Sequence, residues 1–196
     1  MTRGRPIAFS PDEAASAAMQ VFWARGYDNA STRDLLEAMR LSRSSLYQAF
    51  GNKEQLFLES LRRYREALVG RLGRRLEAAP SAMAFLEDLF RETAGEAGSE
   101  RAALGCLIFN STSELGQRGD LPAQHARQSI AAITALFHRA LEQAQAAGDI
   151  APDQDTRALA SYLTMGMAGL RTLLKSGADA EQARQAVELL LAGLRR

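Results

Sequence analysis

The sequence predicts an all-α protein: a three-helix N-terminal helix-turn-helix domain followed by a larger helical domain, about nine helices in total. Three observations predict this. Apolar residues recur at a helical period nearly from end to end, only 5 prolines interrupt the 196 residues, and short alternating runs bounded by turn residues are absent. Side chains suited to capping a helix N-terminus stand at the head of most periodic segments.

Ser10-Pro11-Asp12-Glu13 opens the first helix, 11–25, with a cap hydroxyl, a proline at the first helical position and a glutamate three residues on. Ala15, Ala18, Met19 and Phe22 fall on one face of it, and Gly26 ends it. Ser31…Asp34 and Asn52…Gln55 repeat the capping spacing and start helices 32–39 and 53–77. Ser42 starts 43–49, while Ser81, Asp120, Asp155 and Asp179 head 82–97, 121–147, 155–175 and 180–194. Helix 101–115 completes the series. The division falls along helix 53–77: residues 1–52 form one domain, and 53–196 the other, with 53–77 as connector.

Composition narrows the function. At 46% hydrophobic and 24% charged, the chain can bury one sizeable core, or a small module on a larger domain. The N-terminal arginines precede no apolar run, and no stretch reaches the roughly 18 apolar residues that span a bilayer. Cys106, the one cysteine, excludes an internal disulfide and fits a reducing compartment. A soluble, cytoplasmic protein without a membrane partner is expected. The net charge of +1 hides an asymmetry: residues 1–80 hold 13 Lys and Arg against 9 Asp and Glu, residues 81–196 hold 11 against 14. A basic N-terminal part hints at a polyanionic partner for that end.

Two short helices, 32–39 and 43–49, joined by Arg40-Leu41-Ser42, have the proportions of a helix-turn-helix. Leu35, Leu36 and Met39 form the inner face of the first, and Leu46, Ala49 and Phe50 that of the second. The outer face of 43–49 then carries Arg43, Ser44, Ser45, Tyr47 and Gln48. Small hydroxyls permit close approach in a major groove, arginine suits guanine, and glutamine suits adenine. Tyr47, the cap hydroxyls at Ser31 and Thr32 and the amides beside them suit phosphates. Lys53 stands on the first turn of the next helix, where free N–H groups also favour an anion.

Residues 3–60 resemble the TetR-type (TetR/AcrR) transcriptional regulators through "RGRP", "VFWARGYDNASTRDLLEAM" and "LSRSSLYQAFGNKEQLF". The resemblance implies a ligand-responsive DNA-binding regulator, a repressor released from a palindromic operator by a small-molecule inducer or a thiol modification. It implies DNA-backbone contacts from Thr32, Arg33, Tyr47 and Lys53, and base reading from Arg43, Ser44, Ser45 and Gln48. Arg3 and Arg5 resemble a flexible arm for the adjacent minor groove. Arg40 departs from the family, which usually has glycine in the turn; it either sits at positive φ with some strain or adds a phosphate contact.

The same resemblance implies that the second domain serves dimerisation and ligand sensing. For the homodimer, Leu159, Leu163, Gly166, Gly169, Leu170 and Leu173 of helix 155–175 join Val187, Leu190 and Leu191 of helix 180–194, with the glycines allowing close approach. For sensing, Cys106, Asn110 and Ser113 share one stripe of helix 101–115, at i, i+4 and i+7. Phe85, Leu89, Phe137, His138, Tyr162 and Met165 supply candidate walls. Cys106 is either an inert lining residue or a reactive thiol that responds to electrophiles or oxidants.

Two other classes compete. A hydrolase or transferase needs a nucleophile with a base, and neither His125 nor His138 has a motif around it. No glycine-rich phosphate loop and no metal-spaced Cys or His cluster occurs, so no enzyme activity, cofactor or metal is expected. An architectural DNA-binding protein without a ligand leaves the large second domain unexplained.

Overall fold

The computed structural model describes residues 10–195, with side chains to Leu194; Arg3 and Arg5 lie outside the described residues. The described chain is helical, without strands: α1 (Pro11–Arg25), α2 (Thr32–Met39), α3 (Arg43–Phe50), α4 (Lys53–Ala78), α5 (Ala82–Gly95), α6 (Glu100–Leu104), α7 (Leu107–Leu115), α8 (Leu121–Ala146), α9 (Thr156–Lys175) and α10 (Ala180–Ala192), closed by a 3-10 turn at Gly193–Arg195.

The caps account for the boundaries. Ser10, Ser31, Ser42, Asn52, Ser81, Asp120, Asp155 and Asp179 each accept a first-turn N–H with the side chain, as their spacing predicts. Ser31 and Asp34 form a complete capping box, each side chain receiving the other's backbone N–H.

Phe22 is central to the N-terminal core. It meets Phe57 of α4 edge-on at 5.2 Å, while Tyr27 tilts over Phe57 at 4.7 Å. Leu35, Leu46 and Leu56 are fully buried in the same core cluster, so the first turns of α4 pack with α1–α3. Arg63 adds a second tie, bridging Glu59 on its own helix to Asp12 of α1; hydrogen bonds from Arg62 foremost, and from Arg63, lower the Glu59 pKa to about 2. Beyond residue 60, α8 packs against α4, α5, α7 and α9, and α10 rests on α5 and α9. Phe90, Phe137, Ile108 and Leu163 are fully buried there.

Residues 101–115 differ from the expected single helix. Gly105 adopts φ +70°, ends α6, and leaves Cys106 to begin α7 with no side-chain cap bond. Side chains satisfy carbonyls that this break releases. Asn110 Nδ2 donates to Leu104 at 2.8 Å, and Trp23 Nε1 donates to Gly105 at 3.2 Å. Ser99 caps the short α6, a start one residue earlier than the periodicity predicts.

The apolar stripes of the last two helices are also divided differently. Leu163, Leu170, Val187 and Leu191 are buried inside the protomer, so they are removed from any seam with a second chain. Gly166 belongs to that internal packing: a Cβ there would stand 1.9 Å from Leu190 Cδ1. Leu159 and Leu190 are half-buried against the core. Gly169 faces open space, Leu173 is half-exposed, and Met165 and Leu189 stand out at 66% and 77% exposure.

Candidate nucleic-acid interface and ligand cavity

The α2–turn–α3 unit presents its polar face outward. Leu35 and Met39 of α2 and Leu46 of α3 are buried, whereas Arg43, Ser44, Tyr47 and Gln48 are exposed and Ser45 is half-buried. Ala49 also faces outward, so the inner face of α3 is narrower than the spacing predicts. The Ser42 hydroxyl lies 2.9 Å from those of both Ser44 and Ser45, which pre-orders the serines before any partner arrives. Arg40 takes the left-handed conformation (φ 54°, ψ 40°), and Leu41 N–H returns to Leu36 O at 3.1 Å, the pattern of a Schellman turn. Its side chain is exposed.

Two expected phosphate ligands have prior engagements. The Ser31 hydroxyl donates to Asp34 at 2.6 Å and accepts from its N–H, so it is committed to the cap. Lys53 Nζ donates to the Asp28 carbonyl at 3.2 Å and sits 4.8 Å from the centre of the Tyr27 ring. That uses one of three donors and fixes the ammonium at the start of α4. Thr32 is half-buried and Arg33 exposed in the first turn of α2, whose leading N–H groups have no intrahelical partner.

Side chains beyond residue 100 grip the loop between α1 and α2. The Glu114 carboxylate of α7 accepts the backbone N–H groups of Tyr27 (2.9 Å) and Asp28 (2.8 Å). Arg118 pairs with the Asp28 side chain, holding its carboxyl below the usual range. Gly26 makes the approach feasible, because at φ +81° a Cβ would lie 2.7 Å from Glu114 Oε2.

A cavity of about 240 Å³ opens between α4, α5, α7, α8 and α9. Leu68, Leu72, Leu89, Phe109, Ile133, Phe137 and Met167 form its apolar walls. Its polar lining includes Tyr64, Thr93, Cys106, Glu92, Glu96 and four arginines, at 71, 75, 101 and 171. Cys106 is buried, and the Tyr64 hydroxyl donates to its sulfur at 3.6 Å. Burial, with the Cys106 thiol second, pushes the Tyr64 phenol well above its ordinary pKa, so it stays a neutral donor.

Of the residues expected to line a ligand site, Leu89, Cys106 and Phe137 meet here, and six do not. Phe85 is sealed in the core. Asn110 serves the Gly105 break, and Ser113, turned by that same break, is exposed. His138 hydrogen-bonds Thr156 at 3.2 Å, Tyr162 donates to Leu190 O at 2.9 Å, and Met165 points to solvent. The larger omission is α4. Tyr64, Leu68, Arg71, Leu72 and Arg75 recur at helical spacing along it, a signal obscured because arginines normally mark a solvated face.

Comparison with known proteins agrees with this geometry. Residues 15–60 match the family described as bacterial regulatory proteins, tetR family, and residues 82–190 match the tetracyclin repressor-like C-terminal domain. The chain is 31% identical over 195 residues to the uncharacterized HTH-type transcriptional regulator YezE of Bacillus subtilis, covering 97% of this chain and 99% of that protein. It is 32% identical to the HTH-type transcriptional repressor ComR of Escherichia coli, covering 94% and 88%. Among solved structures, a cysteine mutant of the TetR family regulator CifR, complexed with 26-base-pair double-strand operator DNA, superposes with a TM-score of 0.80. That chain is 35% identical, with 97% of this protein and all of CifR covered. The family matches, the full-length relatives and the outward-facing α3 coincide: the chain belongs to the TetR family of bacterial transcriptional regulators.

Proposed function

We propose that the protein is a ligand-responsive repressor that binds a palindromic operator as a homodimer, each α3 reading one half-site. The exposed polar face of α3 carries the reading, since Arg43 and Gln48 flank hydroxyls pre-ordered by Ser42. Ser44 and Ser45 approach base edges, while Thr32, Arg33, Tyr47 and the spare donors of Lys53 take phosphates. Arg40 is exposed at the same turn and adds a cation. The seam between protomers is formed by the outward side of α9 and α10, centred on Met165, Gly169 and Leu189.

In this reading residues 1–52 bind DNA, residues 53–196 sense and dimerise, and α4 joins them. The cavity holds the effector. Its wall contains Tyr64 of α4 and Arg101 of α6, and both touch Trp23 of α1, so a ligand that moves either displaces the DNA-binding helices. A regulator of this kind performs no chemistry of its own and acts in the cytoplasm, where the DNA is. No helix among the described residues is long and apolar enough to cross a membrane. Sequencing the genomic fragments that the purified protein selects, followed by footprinting, tests the proposal. A short protected palindrome is expected; broad coverage without sequence preference, or no protection, overturns it.

A further inference from the structure

We infer that the cavity recognises small organic anions, a carboxylate carried on an apolar body, with Arg71 and Arg101 holding the head group. This rests on the cavity being the effector site. Four arginines line it against two glutamates, an excess of two positive charges beside its apolar walls, and Arg71 and Arg101 are the solvent-exposed pair. The pairing is uneven. Arg75 takes Glu92 at 2.8 Å, while Arg171 and Arg101 share one oxygen of Glu96, with Arg101 the looser at 3.4 Å. Arg71 makes no ion pair with any described residue.

Guanidinium groups next to apolar surface gain most from an anion that presents two oxygens, because a planar carboxylate matches their fork of donors. Arg71 and Arg101 also share a wall. Both line an adjoining cleft that contains Trp23, so they stand between the cavity and α1. Leu89, Phe109, Ile133, Phe137 and Met167 line the rest of the cavity and leave an apolar body as the matching tail. Binding also has a mechanical consequence. An anion that draws Arg101 towards itself takes it from its place over the indole, 5.8 Å from the Trp23 ring.

Trp23 is the single tryptophan, so its emission reports on this site directly. Full-length protein is titrated with two matched pairs, 3-phenylpropionate against 3-phenylpropanamide and octanoate against octanamide, and with inorganic phosphate. Each acid is expected to give a saturable change in Trp23 emission, with its amide and phosphate at least about tenfold weaker. Arg71→Gln and Arg101→Gln each weaken the acid about tenfold and leave the amide unchanged, and Arg71→Lys lies between. Unaltered far-UV circular dichroism and melting show that the variants are folded. Equal affinity for acid and amide, acids indifferent to both arginines, or no binding by any acid overturns the inference. The same titrations with operator duplex present separate the two readings. An acid bound through the arginines without releasing DNA keeps the anion site and removes its role as effector site; release by the amides as readily as by the acids does the reverse.

Discussion

The indole N–H of Trp23 donates to the carbonyl of Gly105 at 3.2 Å, joining α1 of the DNA-binding unit to the break between α6 and α7. Residue 106, next along the chain, places its sulfur in the cavity wall. The start of α7 is therefore held at the cavity, and its far end is held at Tyr27 and Asp28 through Glu114. A shift of α7 by an occupant would be felt at both places.

Glu114→Gln removes the charge and replaces one acceptor oxygen with a donor amide, so one of its two N–H bonds, the half-buried one from Tyr27 or the exposed one from Asp28, is lost. A cost of about 1–3 kcal/mol is expected, because bonds to charged groups are stronger than neutral ones. Urea denaturation measures it. Gly26→Ala should be at least as damaging, since it adds a Cβ against Glu114 and strain at φ +81°. If both variants match the parent in stability and in operator affinity, the Glu114 grip carries nothing.

Arg40→Gly isolates the turn. Glycine relieves the left-handed conformation of Arg40, and about 1 kcal/mol of stabilisation is expected from it. In a chain of this size that raises the melting temperature by roughly 2–4 °C. If the guanidinium touches a phosphate, operator affinity falls at the same time and the salt slope drops by about 1. Higher stability with unchanged affinity would assign Arg40 to the turn alone.

Met165 and Leu189 give the test of assembly. Their exposure, 66% and 77%, means that lysine at either place disturbs little packing within the protomer. Met165→Lys with Leu189→Lys is expected to yield folded monomers at micromolar concentration by sedimentation, with operator binding weakened. Gly166→Leu serves as contrast: it strikes Leu190 within the same protomer, an overpacking worth about 1–3 kcal/mol. A double lysine variant that stays dimeric would place the seam elsewhere.

Helix starts and the polar face of α3 were legible because each depends on short-range chemistry, a cap side chain or a 3.6-residue stripe. Features set by tertiary neighbours were not. The Gly105 break depends on Trp23, 82 residues away, accepting responsibility for its carbonyl. The direction of α9 depends on which of its two apolar sides meets α10. Leu163 and Leu170 go inward while Met165 stays out, a choice that periodicity leaves open. Arginines at helical spacing ordinarily mark a solvated face, and Arg71 is indeed exposed; only the packing of α4 against α8 with α5 alongside brings Tyr64, Arg71 and Arg75 to the edge of a common hollow.

Cys106 is expected to line the cavity without switching the protein. Its sulfur is buried and accepts the Tyr64 hydroxyl, which a serine oxygen can also do. Cys106→Ser should therefore keep operator binding and release. Operator release is titrated against an alkylating agent in both proteins, with no second thiol to confuse the result. Release by alkylation in the parent that vanishes in the serine variant would make the thiol a sensor instead.

Reading of DNA by α3 is measured most directly with a fluorescently labelled operator duplex and a scrambled duplex of equal length, titrated by anisotropy at several salt concentrations. The parent should bind the operator at least about a thousandfold more tightly than the scrambled duplex. Gln48→Ala, exposed on α3, should lose about 1–3 kcal/mol on the operator, relax preference at one position per half-site, and leave scrambled binding unchanged. Equal affinity of parent and Gln48→Ala for the operator, with no preference over scrambled DNA, would contradict a regulator that reads its site through α3.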